Sequence, residues 1–194
     1  MTRNLLSSVE KLVQTITYKN VEFEVVKRPD VLWVGCVDYA TNNKDESDIG
    51  VTLKRYQELV KTSPINEKIN SDWGAALSIN YSCDDKPNGI MFANETYSNK
   101  QDEQYDLFTQ PGGLWLRIRN DNNASVQLLG KDASEPWEYF AGEQAPLQSA
   151  AKENGYMPNP DVHIQIEYHC HTVISVEYDT PPHTNYAYIP IIKK

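Results

Sequence analysis

The sequence predicts an α+β fold: two strand–helix–strand–strand units forming one curved, antiparallel-rich sheet, with helices on one face and a groove on the other. Three observations predict it. Apolar residues recur mostly at every second position in short runs, the spacing of half-buried strands. One stretch in each half of the chain switches to helical spacing. A local pattern also recurs: Arg28-Pro29-Asp30-Val31-Leu32-Trp33-Val34 is matched by Gln110-Pro111-Gly112-Gly113-Leu114-Trp115-Leu116 at an offset of 82 residues. On that offset Phe23 falls on Tyr105, Val25 on Leu107 and Trp33 on Trp115. A helix with an apolar stripe must bury it on the sheet, so the helices take one face and the two halves meet along the other.

The elements follow in order. Leu5 to Ile16 carries apolar residues at 5, 6, 9, 12, 13 and 16, which predicts an amphipathic helix. Residues 1–20 thus read as an N-terminal helical extension to a domain spanning 21–194, with repeat halves at about 21–98 and 103–193. Val21, Phe23 and Val25 alternate with charged residues and predict a strand; Lys27 to Asp30 is a turn, and Val31 to Val37 a buried strand. Asp48 can cap a helix from Ile49 with Leu53, Tyr56, Leu59 and Val60 on its apolar side, ending before Pro64. Ala75 to Tyr81 and Ile90 to Tyr97 read as strands around the loop Asp84 to Gly89. The second half repeats the plan. Tyr105 to Phe108 and Leu114 to Arg119 are strands, and a helical region follows between Ala124 and Asn154, broken near Pro136 and Pro146. Val162 to His171 and Tyr186 to Ile192 close it as strands.

Composition narrows the function classes. Hydrophobic residues at 40% and charged residues at 23% are globular proportions. The formal net charge of −9 repels phosphate backbones, so direct nucleic-acid binding is not expected. It suits solubility, cationic compounds or a basic protein. No apolar run approaches the roughly 20 residues of a membrane span, and the N-terminus lacks a secretory pattern, so the expectation is a cytoplasmic protein without membrane contact. Cys36, Cys83 and Cys170 are scattered with no Cys-x-x-Cys, which argues against a disulfide framework or structural zinc. No nucleophile elbow, phosphate loop or dinucleotide fingerprint is present, so neither a cofactor nor a nucleophile is expected.

The residues Phe23-Glu24-Val25-Val26-Lys27-Arg28-Pro29-Asp30-Val31-Leu32-Trp33-Val34-Gly35 resemble the first two strands of GyrI-like, or bacterial effector-binding, domains. Thr41-Asn42-Asn43 is similar to integron-associated relatives. Pro111-Gly112-Gly113-Leu114-Trp115 resembles the family's Pro-x-Gly-x-Tyr element, Glu167-Tyr168 its late Glu-Tyr element, and Tyr188-Ile189-Pro190-Ile191 its closing strand. The likeness runs from about Val21 to Lys193, carried by the order and spacing of these pieces. It implies a duplicated, SHS2-like fold whose groove takes bulky, often cationic, aromatic molecules against a glutamate counter-charge.

Glu167 is the candidate for that glutamate, and Glu177-Tyr178-Asp179 offers a rival alignment. Glu167 lies a family-like distance after Gly155-Tyr156 and mirrors Asn80 if Ser78 to Tyr81 matches Gln165 to Tyr168. Strand alternation puts Ile164, Ile166, Tyr168 and Cys170 on one face, read as core under the helices, and His163, Gln165, Glu167, His169 and His171 on the other. Candidate ligand-binding aromatics are Trp33, Trp115, Tyr81, Trp137, Tyr168 and Tyr188. A carboxylate walled by aromatic rings favours a cation by charge and by cation–π attraction. The His169-Cys170-His171 run with Glu167 has zinc-compatible spacing but no further ligand cluster, so no metal is expected. Three functions follow. The first is a stand-alone small-molecule-binding protein, monomer or homodimer. The second, implied by resemblance, is a hydrolase of reactive cyclopropane-type compounds with Glu167 as general base. The third is an acidic inhibitor of a DNA-binding enzyme such as gyrase.

Overall fold

The computed structural model describes residues 10–40, 49–69, 73–81, 83, 85–132, 135–140, 145–170 and 185–194. It is α+β, with one large sheet. The strands are β1 (Lys11–Tyr18), β2 (Val21–Arg28), β3 (Val31–Tyr39), β4 (Trp73–Ile79), β5 (Gly89–Thr96), β6 (Asp106–Gln110), β7 (Gly113–Asn120), β8 (Tyr156–Pro158), β9 (Ile164–Cys170) and β10 (Asn185–Lys193). The helices are α1 (Ile49–Thr62), α2 (Asn122–Leu129) and α3 (Pro146–Glu153), with a 3-10 turn at Pro136–Tyr139. The order across the sheet is β1-β2-β7-β10-β9-β4-β5-β3-β6, and β8 pairs with β10.

Within this order β6–β3 forms one end, β2–β7 lies toward the other just inside the edge strand β1, and β4–β9 lies between them. In the middle ladder Ala75 faces Tyr168, Leu77 faces Ile166, and Ala76 faces Glu167 between them. Asn80 lies past the end of β4 with φ of 58°.

The connections force the sheet to curl. β2 and β3 lie six strand spacings apart in the order, about 29 Å if flat. Arg28 and Val31 are joined by three peptide links, which reach at most about 11 Å. The same holds for β6 and β7 through Gln110 and Gly113. The two turns pack on each other: the Gly112 backbone N–H donates to Asp30 Oδ1 at 2.7 Å. A Cβ on Gly112 would lie 2.9 Å from the backbone of Pro29 and of Asp30, so the crossing admits no side chain there.

The curl gives the sheet an outer and an inner face. Outside, Tyr56 and Leu59 of α1 bury against Val34, Cys36, Ala76 and Phe92. Thr52, Tyr56 and Leu59 form the buried stripe at helical spacing. In the other half, α2, the 3-10 turn and α3 supply Ala124, Tyr139, Phe140, Leu147, Ala150 and Ala151 to a cluster with Phe23, Val25, Leu116, Ile118, Ala187, Ile189 and Ile191. The breaks near Pro136 and Pro146 fall where the sequence predicts them. Asp121 caps α2 by accepting from the Ala124 N–H at 3.0 Å, and Gly130 ends it with φ of 69°. Inside, a third cluster contains no helical residue: Val26, Val31, Trp33, Ala75, Leu77, Ile79, Met91, Ala93, Trp115, Ile164, Ile166, Tyr168 and Tyr188.

Two sequence expectations are overturned. Lys11 to Ile16 is strand, not helix: β1 forms a hairpin with β2 through Lys19 and Asn20, both at positive φ. Met1 to Val9 lies outside the described residues. The helical spacing misleads because the pairing register shifts between Leu12 and Gln14, which breaks the alternation a strand would show. Leu12 and Val13 are exposed, while Ile16 and Tyr18 bury in the outer cluster under the helices. The second correction concerns β9. Ile164, Ile166 and Tyr168 are not under the helices but on the inner face.

Gly35 marks the tightest approach in β3. A Cβ there would lie 1.9 Å from the Phe92 carbonyl oxygen and 2.7 Å from Ala93 Cα, both backbone atoms of β5. Gly35→Ala is expected to destabilise the protein by about 3 kcal/mol, the upper end for overpacking, because backbone cannot step aside as a side chain can. Urea denaturation measures it.

Candidate functional site

The inner face collects the polar and aromatic groups of both halves. In β2, the residues Glu24, Val26 and Arg28 alternate with the outer set Val21, Phe23 and Val25. Cross-strand partners share a face, which places Trp115 and Arg117 of β7 opposite Val26 and Glu24. Tyr188 stands opposite Arg117, and Glu95 of β5 opposite Trp33. Trp33, Trp115, Tyr168 and Tyr188 are all buried. Tyr168 is 5.5 Å, centroid to centroid, from both Trp33 and Tyr188.

Arg28 lies within this aromatic cluster. Its guanidinium carbon is 5.3 Å from the Tyr188 ring centroid, 5.7 Å from that of Tyr168 and 6.0 Å from that of Trp115. Its Nη2 forms an ion pair with Glu95 and donates to the Tyr168 hydroxyl at 3.4 Å. The side chains of Arg28 and Glu95 are 0% and 2% exposed, so this is a fully buried pair. Beside it, Arg117 donates from Nη1 to Glu10 at 3.1 Å and to the Tyr188 hydroxyl at 3.0 Å, and from Nε to Glu24 at 2.5 Å. Its guanidinium carbon lies 4.8 Å from the Tyr186 centroid. The Tyr188 hydroxyl donates to Glu10 at 3.2 Å. At the turn crossing, Trp33 Nε1 donates to Gln110 Oε1 at 3.1 Å.

Burial governs ionisation here. It pushes the Tyr168 and Tyr188 hydroxyls well above their usual value, so both stay neutral. It also raises the Glu10 carboxyl above its ordinary 4.5, against the lowering pull of Arg28 and Arg117.

Four of the aromatics named from the sequence, Trp33, Trp115, Tyr168 and Tyr188, are brought together. Three other named residues are not. Glu167 is half-buried and stands opposite Ala76 and Ala187, both members of the outer, helix-covered clusters. Its carboxylate therefore belongs to the outer face. Tyr81 is exposed in the turn after β4, where its carbonyl meets His163 Nδ1 at 3.1 Å. Trp137, on the 3-10 turn, is 52% exposed on the outer side. Glu177 and His171 lie outside the described residues. Among the described residues no cluster of three or more His, Cys, Asp or Glu could hold a metal ion.

Sequence reading missed Arg28, Glu95, Arg117, Gln110 and Glu10. One signal was present: Arg28 and Gln110 occupy the same position of the Pro-x-x-Leu-Trp repeat, so a long polar side chain recurs before the tryptophan. Glu95 had no such marker, since its place follows from the β3–β5 register.

Solved structures share this architecture. The EcmrR C-terminal domain aligns with TM-score 0.56 at 11% identity, covering 90% of this chain and 99% of its own. A putative bacterial transcription regulation protein from Staphylococcus aureus gives 0.54 at 14%, covering 88% and 98%. SAV2435 bound to tetraphenylphosphonium gives 0.52 at 12%, covering 88% and 93%. The fold is that of the GyrI-like effector-binding domains. At these identities the likeness is one of fold. No family profile matches the sequence, and no curated protein matches it. In this GyrI-like fold no described helix is long and apolar enough to cross a membrane.

Two predictions follow from the buried charges. Glu95→Gln leaves the Arg28 guanidinium buried without its counter-ion and should cost about 3–5 kcal/mol. The pair replacement Arg28→Met/Glu95→Leu removes both charges and should cost far less, as a double-mutant denaturation cycle would show. For Glu10, a raised acid holds its proton more tightly folded than unfolded. Its stabilising contribution is full below its ordinary 4.5 and is lost as pH rises through the raised value. Glu10→Gln lacks this titration, so its melting temperature should gain on wild type as pH rises above the ordinary 4.5 in a thermal scan.

Proposed function

We propose that this protein is a small-molecule-binding domain whose ligand, a hydrophobic aromatic compound, stacks among Trp33, Trp115, Tyr168 and Tyr188 inside the curl. The observation that carries the reading is the convergence of these four rings with a buried carboxylate, Glu95, on the face that no helix among the described residues covers. Ligand sites are lined mainly by aromatic and apolar side chains with a few placed polar groups, and they favour junctions between structural units. The symmetric strand order supports two strand–helix–strand–strand units meeting at β4–β9, with the aromatic residues drawn from both. Among proteins of this fold, SAV2435 is described bound to tetraphenylphosphonium, a lipophilic aromatic cation.

The counter-charge passes from Glu167 to Glu95. That carboxylate already has a cation, because Arg28 occupies the seat between the rings. A cationic ligand reaches Glu95 only by displacing a guanidinium held by charge and by stacking. Aromatic contact rather than charge therefore carries most of the affinity of the resting site. The hydrolase reading with Glu167 as general base gains no support from this arrangement, since Glu167 stands opposite Ala76 and Ala187 on the outer face.

A thermal-shift titration with planar tricyclic compounds tests this reading. A ligand bound by the native state alone raises stability by RT ln(1 + [L]/Kd), about 2.7 kcal/mol at a hundredfold excess over Kd. Saturable shifts accompanied by quenching of tryptophan emission are expected. If no aromatic compound of any charge does either, the reading fails.

A further inference from the structure

Arg28 and Gln110 present more donors than the interior satisfies. Nε and Nη1 of Arg28 and Nε2 of Gln110 are buried and find no acceptor among the described residues. Arg28 is 1% and Gln110 0% exposed, so bulk water does not meet these groups. Each orphaned buried donor costs roughly 1–3 kcal/mol, which makes three of them costly unless something completes them. They share the inner face next to the turn crossing. Arg28 and Gln110 immediately precede the two turns that pack on each other through Asp30 and Gly112, and both side chains lie among the inner-face rings. The orientation of the Gln110 amide is set by the Trp33 indole N–H, which needs the amide oxygen and so leaves the NH2 group facing away from it.

The charges around them decide the ligand's own charge. Arg28 is matched by Glu95, and Arg117 by Glu10 and Glu24. Three carboxylates thus face two guanidiniums, so no positive charge is left over to hold an anion, and Arg28 itself takes the seat for a cation between the rings. The unmet groups are hydrogen-bonding ones: the donors of Arg28 and Gln110, and the Glu10 Oε2 acceptor on the Arg117 side.

Resting on the small-molecule reading above, we propose that the ligand is an uncharged planar aromatic compound carrying a carbonyl-type acceptor. Its oxygen receives N–H groups of Arg28 and Gln110 while its rings stack on Trp33, Trp115 and Tyr168. The aromatic walls supply the affinity and the orphaned donors supply the selection. A site whose buried polar groups pair with a ligand rejects the analogue that lacks the partner, because rejection leaves those groups unpaired.

Four planar tricyclic probes test it: fluorene, 9-fluorenone, fluorenone-4-carboxylate and the cation proflavine, each titrated into wild-type protein by calorimetry or tryptophan quenching. Fluorenone should bind at least about tenfold more tightly than fluorene, and more tightly than the carboxylate or proflavine. In Arg28→Met/Glu95→Leu, which removes the pair together, the preference of fluorenone over fluorene should collapse to near parity while fluorene still binds. If that variant does not fold, Gln110→Met should narrow the same ratio. Equal binding of fluorene and fluorenone to wild type overturns the inference while leaving the aromatic site standing. Tightest binding by proflavine or by the carboxylate overturns it in favour of a charged ligand. No binding by any of the four removes the small-molecule reading beneath it.

Discussion

Two short connections govern this structure. The links from Arg28 to Val31 and from Gln110 to Gly113 join strands that a flat sheet would hold far apart. The sheet has to curl until the two turns touch, and the Asp30–Gly112 hydrogen bond records the contact. Proline in each turn presets its backbone, and glycine at 112 admits the crossing. Everything on the inner face follows from that closure. Side chains that would be half-exposed on an open sheet become fully buried, and the aromatic residues of both halves meet.

The same closure makes the inner polar groups energetically demanding. Arginine and glutamate lose water there, and they persist only because each charge has a partner and each guanidinium has rings over its faces. Hydrophobic residues of similar volume would often serve stability as well or better. Retention of Arg28, Glu95 and Arg117 in so dry a place therefore argues for a task beyond packing, and unmet donors on Arg28 and Gln110 give that task a direction. Arg28 fills the position that an aromatic cage with a carboxylate would offer to a foreign cation.

The outer face is ordinary by contrast. Small residues, Ala76 and Ala187, let Glu167 sit half-buried beside the helices. Alternation separates Glu167 from Tyr168, but the sequence reading gives the helix side to Tyr168 and the groove to Glu167, the reverse of what the curl produces. Adjacent residues on a strand point to opposite faces, so only Tyr168 of the two reaches the inner cluster.

From the sequence alone came the strand and helix succession from Val21 onward apart from β8, the helical breaks at Pro136 and Pro146, the recurring Pro-x-x-Leu-Trp and the α+β class. These are local properties: periodicity, turn chemistry and caps act over a few residues. Periodicity failed at Lys11 to Ile16 because a register shift imitated helical spacing. Tertiary structure decided which face of each strand is inside, that Glu95 stands beside Trp33, and that Arg28 enters the aromatic cluster. Alternation says that a strand has two faces but not which one a curl will enclose. That choice depends on strand order and on connections too short to leave the sheet flat, and no window of sequence contains them.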